Sequence, residues 1–438
     1  MEVLFVHQPV KHPIRNDISD VGIPLGMLYL AGYLRDHNSD VNVTLRDYRL
    51  HGEDTVYGDI TNADVVLAGA STADYSDAIR ILSIAKRLGK RTVMGGIIPT
   101  MVSDHVLNTG VVDIVVRGEG EQSLSEVFKT NDLIQVQGIS YRSSNGIVHN
   151  STRAAMRPEE FSLPDYDVAG LEDYVDVCKG TVYSARGCPM GCSFCTLNTF
   201  WQYSYRPEAI DQVLQEVTAM HDAGFKDIRF KDEDFPLNKR RTYELLTALE
   251  SLGLDAEFKA KARIDRVTPE LLGRMQRAGF RRMYCGLEAI TPQTLQTAEK
   301  GYRKGFQEQL DLVLASGLQL EFGFILGLQG ETDETLARNV EYICEIGSRT
   351  NVVPRITFLT PYPGTKLYNN PTGLRFLTHD WDRYNSITPV CVPESLGPDA
   401  LQKLVEAHTM IVEATGSADY NPDIDVGFLS GLEVVAAK

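Results

Sequence analysis

The sequence predicts an α/β chain in two wound parts: a doubly wound, Rossmann-like N-terminal domain, then a partial (β/α)6 barrel of the TIM type with a small C-terminal region. Three observations carry this expectation. Over residues 1–130, short apolar runs alternate with helix-period patterns. Residues 131–180 interrupt that rhythm with a hairpin signal and prolines, which marks a connector. From Thr181 a second β/α alternation begins, and it continues for six units to residue 364.

In the first part, strands are expected at 3–7, 41–47, 65–70, 92–95 and 114–117, and helices at 25–36, 76–88, 101–108 and 122–129. Such alternation calls for a parallel sheet covered on both faces, with ligands outside the carboxyl ends of the strands. The segments at those ends are HQP (7–9), GAST (69–72), GGIIPT (95–100) and RGEGE (117–121). Their Gly, Ser, Thr and Pro residues let backbone approach a ligand closely. One such turn is ordinary, but four together point to a bound cofactor. In the connector, Asn145-Gly146 between strand-like flanks is a hairpin turn signal. The stretch RPEEFSLPDYD (157–167) then predicts an ordered linker.

In the second part, strands are expected at 182–185, 227–230, 257–261, 282–287, 319–325 and 355–360. Helices are expected at 207–223, 241–252, 269–278, 306–316 and 333–346. A barrel of this kind carries its chemistry at the C-terminal ends of its strands. Residues 365–438 contain Trp381 and a helix near 398–414, and are expected to cap the barrel and help shape a substrate site.

Composition narrows the function classes. A hydrophobic share of 43% and a charged share of 23% are those of a globular chain. No apolar run reaches membrane-spanning length, and the N-terminus lacks the basic region and cleavage site of a signal peptide. The net charge of −16 argues against a nucleic-acid partner, because phosphate binding needs a basic face. The dense basic run Lys239, Arg240, Arg241 reads as the start of a solvated helix. The 7 cysteines are sparse and three share one motif, which suits a reducing, cytoplasmic setting better than a disulfide framework.

That motif is Cys188, Cys192 and Cys195 in ARGCPMGCSFCTLN, spaced C-x3-C-x2-C. Thiolates are the soft ligands that iron–sulfur clusters and zinc prefer, but three is one fewer than a closed zinc site or a [4Fe–4S] cluster usually takes. The next His or Cys along the chain, His221, falls in the middle of an expected helix. A cluster on these three cysteines therefore has one iron open to a substrate or cofactor. Cys178, Cys285, Cys344 and Cys391 show no ligand spacing and are expected to be structural.

With Phe194 just before the third cysteine, the loop resembles that of radical S-adenosylmethionine (SAM) enzymes. Further landmarks of that family recur in order at the expected strand ends: KDEDFPLN (231–238), KARID (261–265), GLE (286–288), GFILGLQGE (323–331) and PYPGT (361–365). The resemblance spans residues 180–365 and implies that Cys188, Cys192 and Cys195 bind a [4Fe–4S] cluster, with SAM on its fourth iron. It makes Glu233, Glu288 and Asp232 the expected acceptors for the SAM ammonium and ribose hydroxyls, Arg263 a partner for its carboxylate or ribose, and Phe194 a further SAM contact. A zinc ribbon explains the cysteines but none of these other landmarks.

The first part resembles the cobalamin-binding domain that precedes the barrel in one subfamily, through GIPLGMLYLAGYL (22–34), GGIIPT (95–100), VRGEGE (116–121) and the linker LPDYD (163–167). This implies cobalamin contacts at Gln8, Pro9, Pro24, Leu25, Ser71, Thr72, Gly95, Gly96, Thr100, Gly118 and Glu119. Two departures stand out. The base-off motif D-x-H-x-x-G does not occur, so His7, His12 and His51 are expected to be loop histidines rather than a lower axial ligand of cobalt. Ile98 stands where relatives often carry His.

The resemblance implies a cobalamin-dependent radical SAM methyltransferase. By that analogy the methyl group passes from SAM via methylcobalamin to an unactivated carbon of a small-molecule or peptide substrate, with phosphorus the lesser alternative. A 5′-deoxyadenosyl radical activates the substrate, and an external donor such as flavodoxin or ferredoxin supplies the electron. The rival is a cyclase or rearrangement enzyme of the same architecture without methyl transfer. A methylthiotransferase, with a second cluster on three N-terminal cysteines, is disfavoured because the first cysteine in the chain is Cys178. A regulatory sensor is disfavoured because no output module is legible.

Overall fold

The computed structural model describes residues 1–8, 22–301 and 306–416. Its chain divides into two compact units. One comprises residues 1–182, 186–189 and 196–225, and the other 183–185, 190–195 and the chain from Lys226 onward.

The first unit is built on a sheet of seven strands: β1 (Glu2–His7), β2 (Asn42–Asp47), β3 (Val65–Gly69), β4 (Arg91–Gly95), β5 (Ile114–Val116), β6 (Ile139–Ser143) and β7 (Gly146–His149). Their order is β2-β1-β3-β4-β5-β6-β7. The first five are parallel, in the flavodoxin-like order 2-1-3-4-5, and β6 and β7 add an antiparallel hairpin at the edge. The runs VLFV and VVLA are apolar at every position because the sheet is covered on both faces, and Val3, Leu4, Phe5, Val6, Val65, Val66, Leu67 and Ala68 are all buried. Helix Leu25–His37 turns Leu28 and Leu34 inward, and helix Tyr75–Arg87 does the same with Ile81, Leu82 and Ala85.

Three expectations need correction here. The helix expected at 101–108 is two pieces, Ile97–Met101 and Ser103–Asn108, broken at Val102, whose backbone leaves the helical region. A helix at Val56–Asn62 was not anticipated, because it turns only Val56 and Ile60 inward and so shows little periodicity. His51, expected in a loop, is the last residue of the short helix Tyr48–His51. His12 lies outside the described residues, as does Pro9.

The second unit carries the parallel strands Asp227–Phe230, Glu257–Lys261, Phe280–Glu288, Gln319–Leu326 and Val352–Phe358, paired in chain order. Helices Lys239–Leu252, Pro269–Arg277, Pro292–Thr297, Phe306–Leu314 and Asp333–Gly347 connect them. Phe230, Phe235, Phe258 and Phe280 pack ring against ring, with centroids 5.1–5.8 Å apart. The strand expected at 182–185 is instead two short pieces, Gly180–Val182 and Ala185–Arg186. The break falls at Ser184, whose backbone N–H and hydroxyl both turn to Asp232.

Beyond the last of these strands, Leu374–Phe376 and Cys391–Pro393 pair antiparallel, and helix Ala400–Thr415 follows. That helix packs on the sheet: the buried ring of His408 stacks on Phe358 at 5.3 Å. Among the described residues, no helix is long and apolar enough to cross a membrane.

Candidate cofactor sites at the strand ends

In the first unit, the chain reverses direction across the sheet between β1 and β3, which is where a doubly wound sheet opens a ligand crevice. Gln8 stands at that point, 1% exposed, with its Nε2 donating to Gly69 O at 2.7 Å. Its Oε1 is buried without a hydrogen-bond partner among the described residues, so it is an acceptor suited to a ligand amide N–H. The next turns are closed on themselves through backbone. Ala70 N–H donates to Gly95 O at 3.0 Å, and Ile98 N–H donates to Ala70 O at 3.2 Å. Gly96 has φ +97°, and a Cβ there would lie 2.9 Å from both Ala70 N and Ala70 O. The Thr100 hydroxyl donates to Gly96 O at 2.7 Å and accepts from Gly118 N–H at 2.9 Å, tying the ends of β4 and β5 together. Gly95, Gly96, Thr100 and Gly118 are half-buried, Ser71 is exposed, and Thr72, Pro24 and Leu25 are buried.

The structure corrects the expectation for Glu119. Its carboxylate accepts from Arg206 at 2.5 Å, from Arg186 at 3.3 Å and from Met156 N–H at 3.0 Å, so it belongs to an internal lock. Arg186, two residues before Cys188, is the centre of that lock. It donates to Glu121 at 2.6 Å and to Glu208 at 3.4 Å, and lies over the rings of Phe161 at 4.1 Å and Tyr29 at 4.5 Å. Glu216 adjoins it and accepts from Tyr29 Oη at 2.8 Å. Burial first, then the charge of Glu208, pushes the Glu216 carboxyl well above the usual range. Gly187 follows with φ +88°, and a Cβ there would strike Ser204 O at 2.4 Å. The entry to the cysteine loop is therefore fixed on both sides of Gly187. Sequence reading missed Glu208, Glu216 and Arg186. The available signal was Glu216 itself, an acid on the face of helix Ile210–Asp222 that Val213, Val217 and Met220 bury.

In the second unit, the middle of the cysteine loop is held by backbone. Ser193 N–H donates to Ala298 O at 3.1 Å, Leu367 N–H donates to Ser193 O at 3.0 Å, and Cys195 N–H donates to Cys192 O at 3.2 Å. All three loop cysteines are half-buried. Burial pushes the Cys192 thiol up, while Lys300 and Arg263 pull it down. Phe194 packs on the apolar cluster of Ala289, Leu295, Ala298, Leu328, Leu359 and Leu367, so its ring anchors the loop. Among the described residues, no three His, Cys, Asp or Glu side chains converge on a single-ion site. Three thiols spread over one loop suit a four-iron cluster, in which each thiolate takes its own iron.

The acidic strand ends divide by what already occupies them. Asp232, expected to meet SAM, is 2% exposed and accepts from Ser184 N–H at 2.7 Å and Ser184 Oγ at 2.6 Å. Burial pushes it up to about 6, against those two bonds. It serves as a clamp on Ser184, and Arg241 closes the clamp by donating to Ser184 O at 2.8 Å, so the basic run is not merely solvated. Arg263 donates to Asp265 at 3.1 and 3.2 Å and to Gly301 O at 3.3 Å. Glu233 lies 3.7 Å from Lys261 Nζ, a looser pairing. Glu288 ends its strand in the left-handed region, at φ +65°, and accepts from Lys300 Nζ at 2.5 Å. Glu331, in the stretch GFILGLQGE, accepts from Gly327 N–H at 2.7 Å and from Asn339 at 2.9 Å. Asn339 in turn accepts from Ile290 N–H at 3.0 Å, so the ends of two strands are joined behind Glu288.

A sheet of flavodoxin order with open, glycine-lined ends, together with parallel β/α units bearing a three-cysteine loop, defines a two-cofactor α/β enzyme. Residues 182–343 match the radical SAM superfamily and residues 11–128 match the B12 binding domain. The chain thus carries a B12-binding domain and a radical SAM domain, and its cofactors are SAM with a [4Fe–4S] cluster, and cobalamin. It is 28% identical to an uncharacterized methyltransferase of Pyrococcus horikoshii over 428 residues, covering 92% of this chain and 91% of that protein. It is 27% identical to the anaerobic magnesium-protoporphyrin IX monomethyl ester cyclase of Rubrivivax gelatinosus, covering 90% and 74%. Its fold is that of the radical S-adenosylmethionine methyltransferase TsrM from Kitasatospora setae, with a TM-score of 0.77 at 17% identity, covering 96% and 90%.

Proposed function

We propose that this chain is a cobalamin-dependent radical SAM methyltransferase that moves a methyl group from SAM to an unactivated carbon of a small molecule or peptide. The observation that carries the reading is the pairing, in one chain, of an open glycine-lined sheet end with a three-cysteine loop. A methyltransferase similar along almost the whole chain supports it. When bound, the cluster with SAM supplies a carbon-centred radical and cobalamin supplies a methyl carrier. Cys188, Cys192 and Cys195 would hold the cluster. Glu288 and Glu233 would accept hydrogen bonds from the SAM ammonium and ribose hydroxyls. Gln8, Ser71, Gly95, Gly96 and the backbone at Gly118 would meet cobalamin, mostly through main chain. An external one-electron donor of the flavodoxin or ferredoxin kind completes the reaction.

A second reading, cyclisation or rearrangement without methyl transfer, is favoured by the similarity to a cyclase. Anaerobic reconstitution with iron, sulfide and hydroxocobalamin, followed by turnover of SAM labelled in its methyl group, separates the two. A product heavier by one CH2 unit and carrying the label supports methyl transfer. Failure to retain cobalamin, or an unlabelled product, sinks it.

A further inference from the structure

Glu288 and Lys300 form a pair that no sequence motif announces. Their side chains are 10% and 8% exposed, and Lys300 Nζ donates to Glu288 Oε1 at 2.5 Å and to Gly286 O at 2.9 Å. The pair is built into the backbone on both sides. The left-handed turn at Glu288, φ +65°, is a conformation a non-glycine residue rarely adopts. It brings the carboxylate back over Gly286, where a Cβ would lie 2.4 Å from Glu288 Oε1 and 2.9 Å from Lys300 Nζ. Only glycine leaves room for the pair.

Lys300 reaches Glu288 from a segment that also holds the cysteine loop. Its own N–H closes on Leu295 O at 3.0 Å, and two residues earlier Ala298 O receives Ser193 N–H. Glu299, itself at φ +50°, accepts from Lys366 at 2.5 Å, and Lys366 donates to Gly191 O at 3.3 Å. One short stretch, 298–300, thus fixes residues 191 and 193 of the loop and the carboxylate of Glu288. The other titratable groups nearby are Arg263 and the Cys192 and Cys285 thiols.

A carboxylate offers about four acceptor positions, and Lys300 uses one of them. The Lys300 ammonium at 2.5 Å fixes the orientation of the remaining oxygen. We infer that Lys300 is a positioning residue, which holds Glu288 aimed as the acceptor for the ammonium or ribose hydroxyls of SAM beside the cysteine loop. This rests on the reading of Glu288 as a SAM contact.

The test uses the full chain with its cluster reconstituted, comparing wild type with Lys300→Met, Lys300→Arg, Glu288→Gln and the Lys300→Met/Glu288→Gln double variant. Iron is counted, SAM affinity is measured by anaerobic equilibrium dialysis, and the reduced cluster's EPR spectrum is recorded with and without SAM. Lys300→Met should keep its iron but bind SAM about ten- to a hundredfold more weakly, with a smaller SAM-induced spectral change. Lys300→Arg should recover most of the affinity. In the Glu288→Gln background, removing Lys300 should cost about threefold or less, because its role runs through the carboxylate. Wild-type affinity in Lys300→Met, or fully additive losses in the double variant, would overturn the inference while leaving the functional reading intact. If Lys300→Met loses its iron, Lys300→Gln repeats the comparison. Loss of iron in both, with unfolding unchanged, would overturn the inference by making Lys300 a determinant of the cluster instead. A wild-type chain that binds iron but no SAM would bring down both readings.

Discussion

The two sets of strand ends solve the same problem with opposite chemistry. Around its switch point the first sheet presents glycine backbone, the Thr100 hydroxyl and Gln8 Oε1, an acceptor without a partner among the described residues. In the second the strand ends present Asp232, Glu233, Asp234, Arg263 and Glu288, nearly all committed to named partners. A large ligand rich in amides needs surface and main-chain groups, and charged side chains would only add desolvation cost. A small ligand that carries an ammonium, a carboxylate and a sulfonium needs fixed charges of known sign. The first unit does own buried charges near its strand ends, but they are paired among themselves: Asp47, the last residue of β2, with Arg49, and Glu119 and Glu121, just past β5, with Arg186 and Arg206.

The strongest test of this contrast is the cysteine loop. Replacing Cys188, Cys192 and Cys195 by Ala should remove all cluster absorbance and all SAM cleavage while cobalamin is still retained, as read by iron counting and visible spectra. Continued formation of 5′-deoxyadenosine would break the assignment. Next comes Arg186→Met, which leaves Glu119, Glu121 and Glu208 buried without their shared cation. A loss of about 3–5 kcal/mol in stability is expected, visible as a lower urea midpoint. If the lock were merely a surface pairing, the loss would stay under about 1 kcal/mol.

Gly96→Ala is the smaller, local counterpart. Its Cβ would meet Ala70 backbone at 2.9 Å and demand φ +97°, for a cost of about 1–3 kcal/mol. Because the ends of β3 and β4 must then shift, cobalamin retained per folded molecule should fall, as measured from absorbance after gel filtration. Unchanged retention would mean that the glycine-lined end is not the ligand face.

The legible parts of this molecule are those whose chemistry is local in the chain. The cysteine triplet occupies eight residues, and the apolar runs of β1, β3 and β4 declare buried parallel strands within five or six. What sequence reasoning missed is held by long-range pairs. Arg186 meets Glu121 across 65 positions, and Arg206 meets Glu119 across 87. Lys300 is only 12 positions from Glu288, but its role depends on a left-handed turn and a glycine two residues before it. Asp232 was legible as an acid at a strand end, but not as one claimed by Ser184, because nothing in either local pattern marks the pairing. Helices Val56–Asn62 and Pro292–Thr297 escaped because each buries only two side chains, too few to show a period.

The last prediction asks whether the charges behind the second set of strand ends are tuned by burial, as the contrast requires. Glu331 is fully buried, and burial pushes it up to about 7, against the bonds from Gly327 N–H and Asn339. An acid whose folded pKa exceeds its unfolded value binds its proton more tightly in the fold. Its contribution to stability is therefore complete below the ordinary glutamate pKa of 4.5 and is lost as pH rises through about 7. Glu331→Gln carries no charge at any pH and keeps one oxygen for one of the two donors. The wild type should lose stability between pH 5 and 8 more steeply than this variant, by roughly 1–3 kcal/mol over that range, as followed by urea midpoints. Parallel slopes would mean that Glu331 ionises normally, held by its hydrogen bonds, and that burial at this end of the sheet is too leaky to set the charge of its acids.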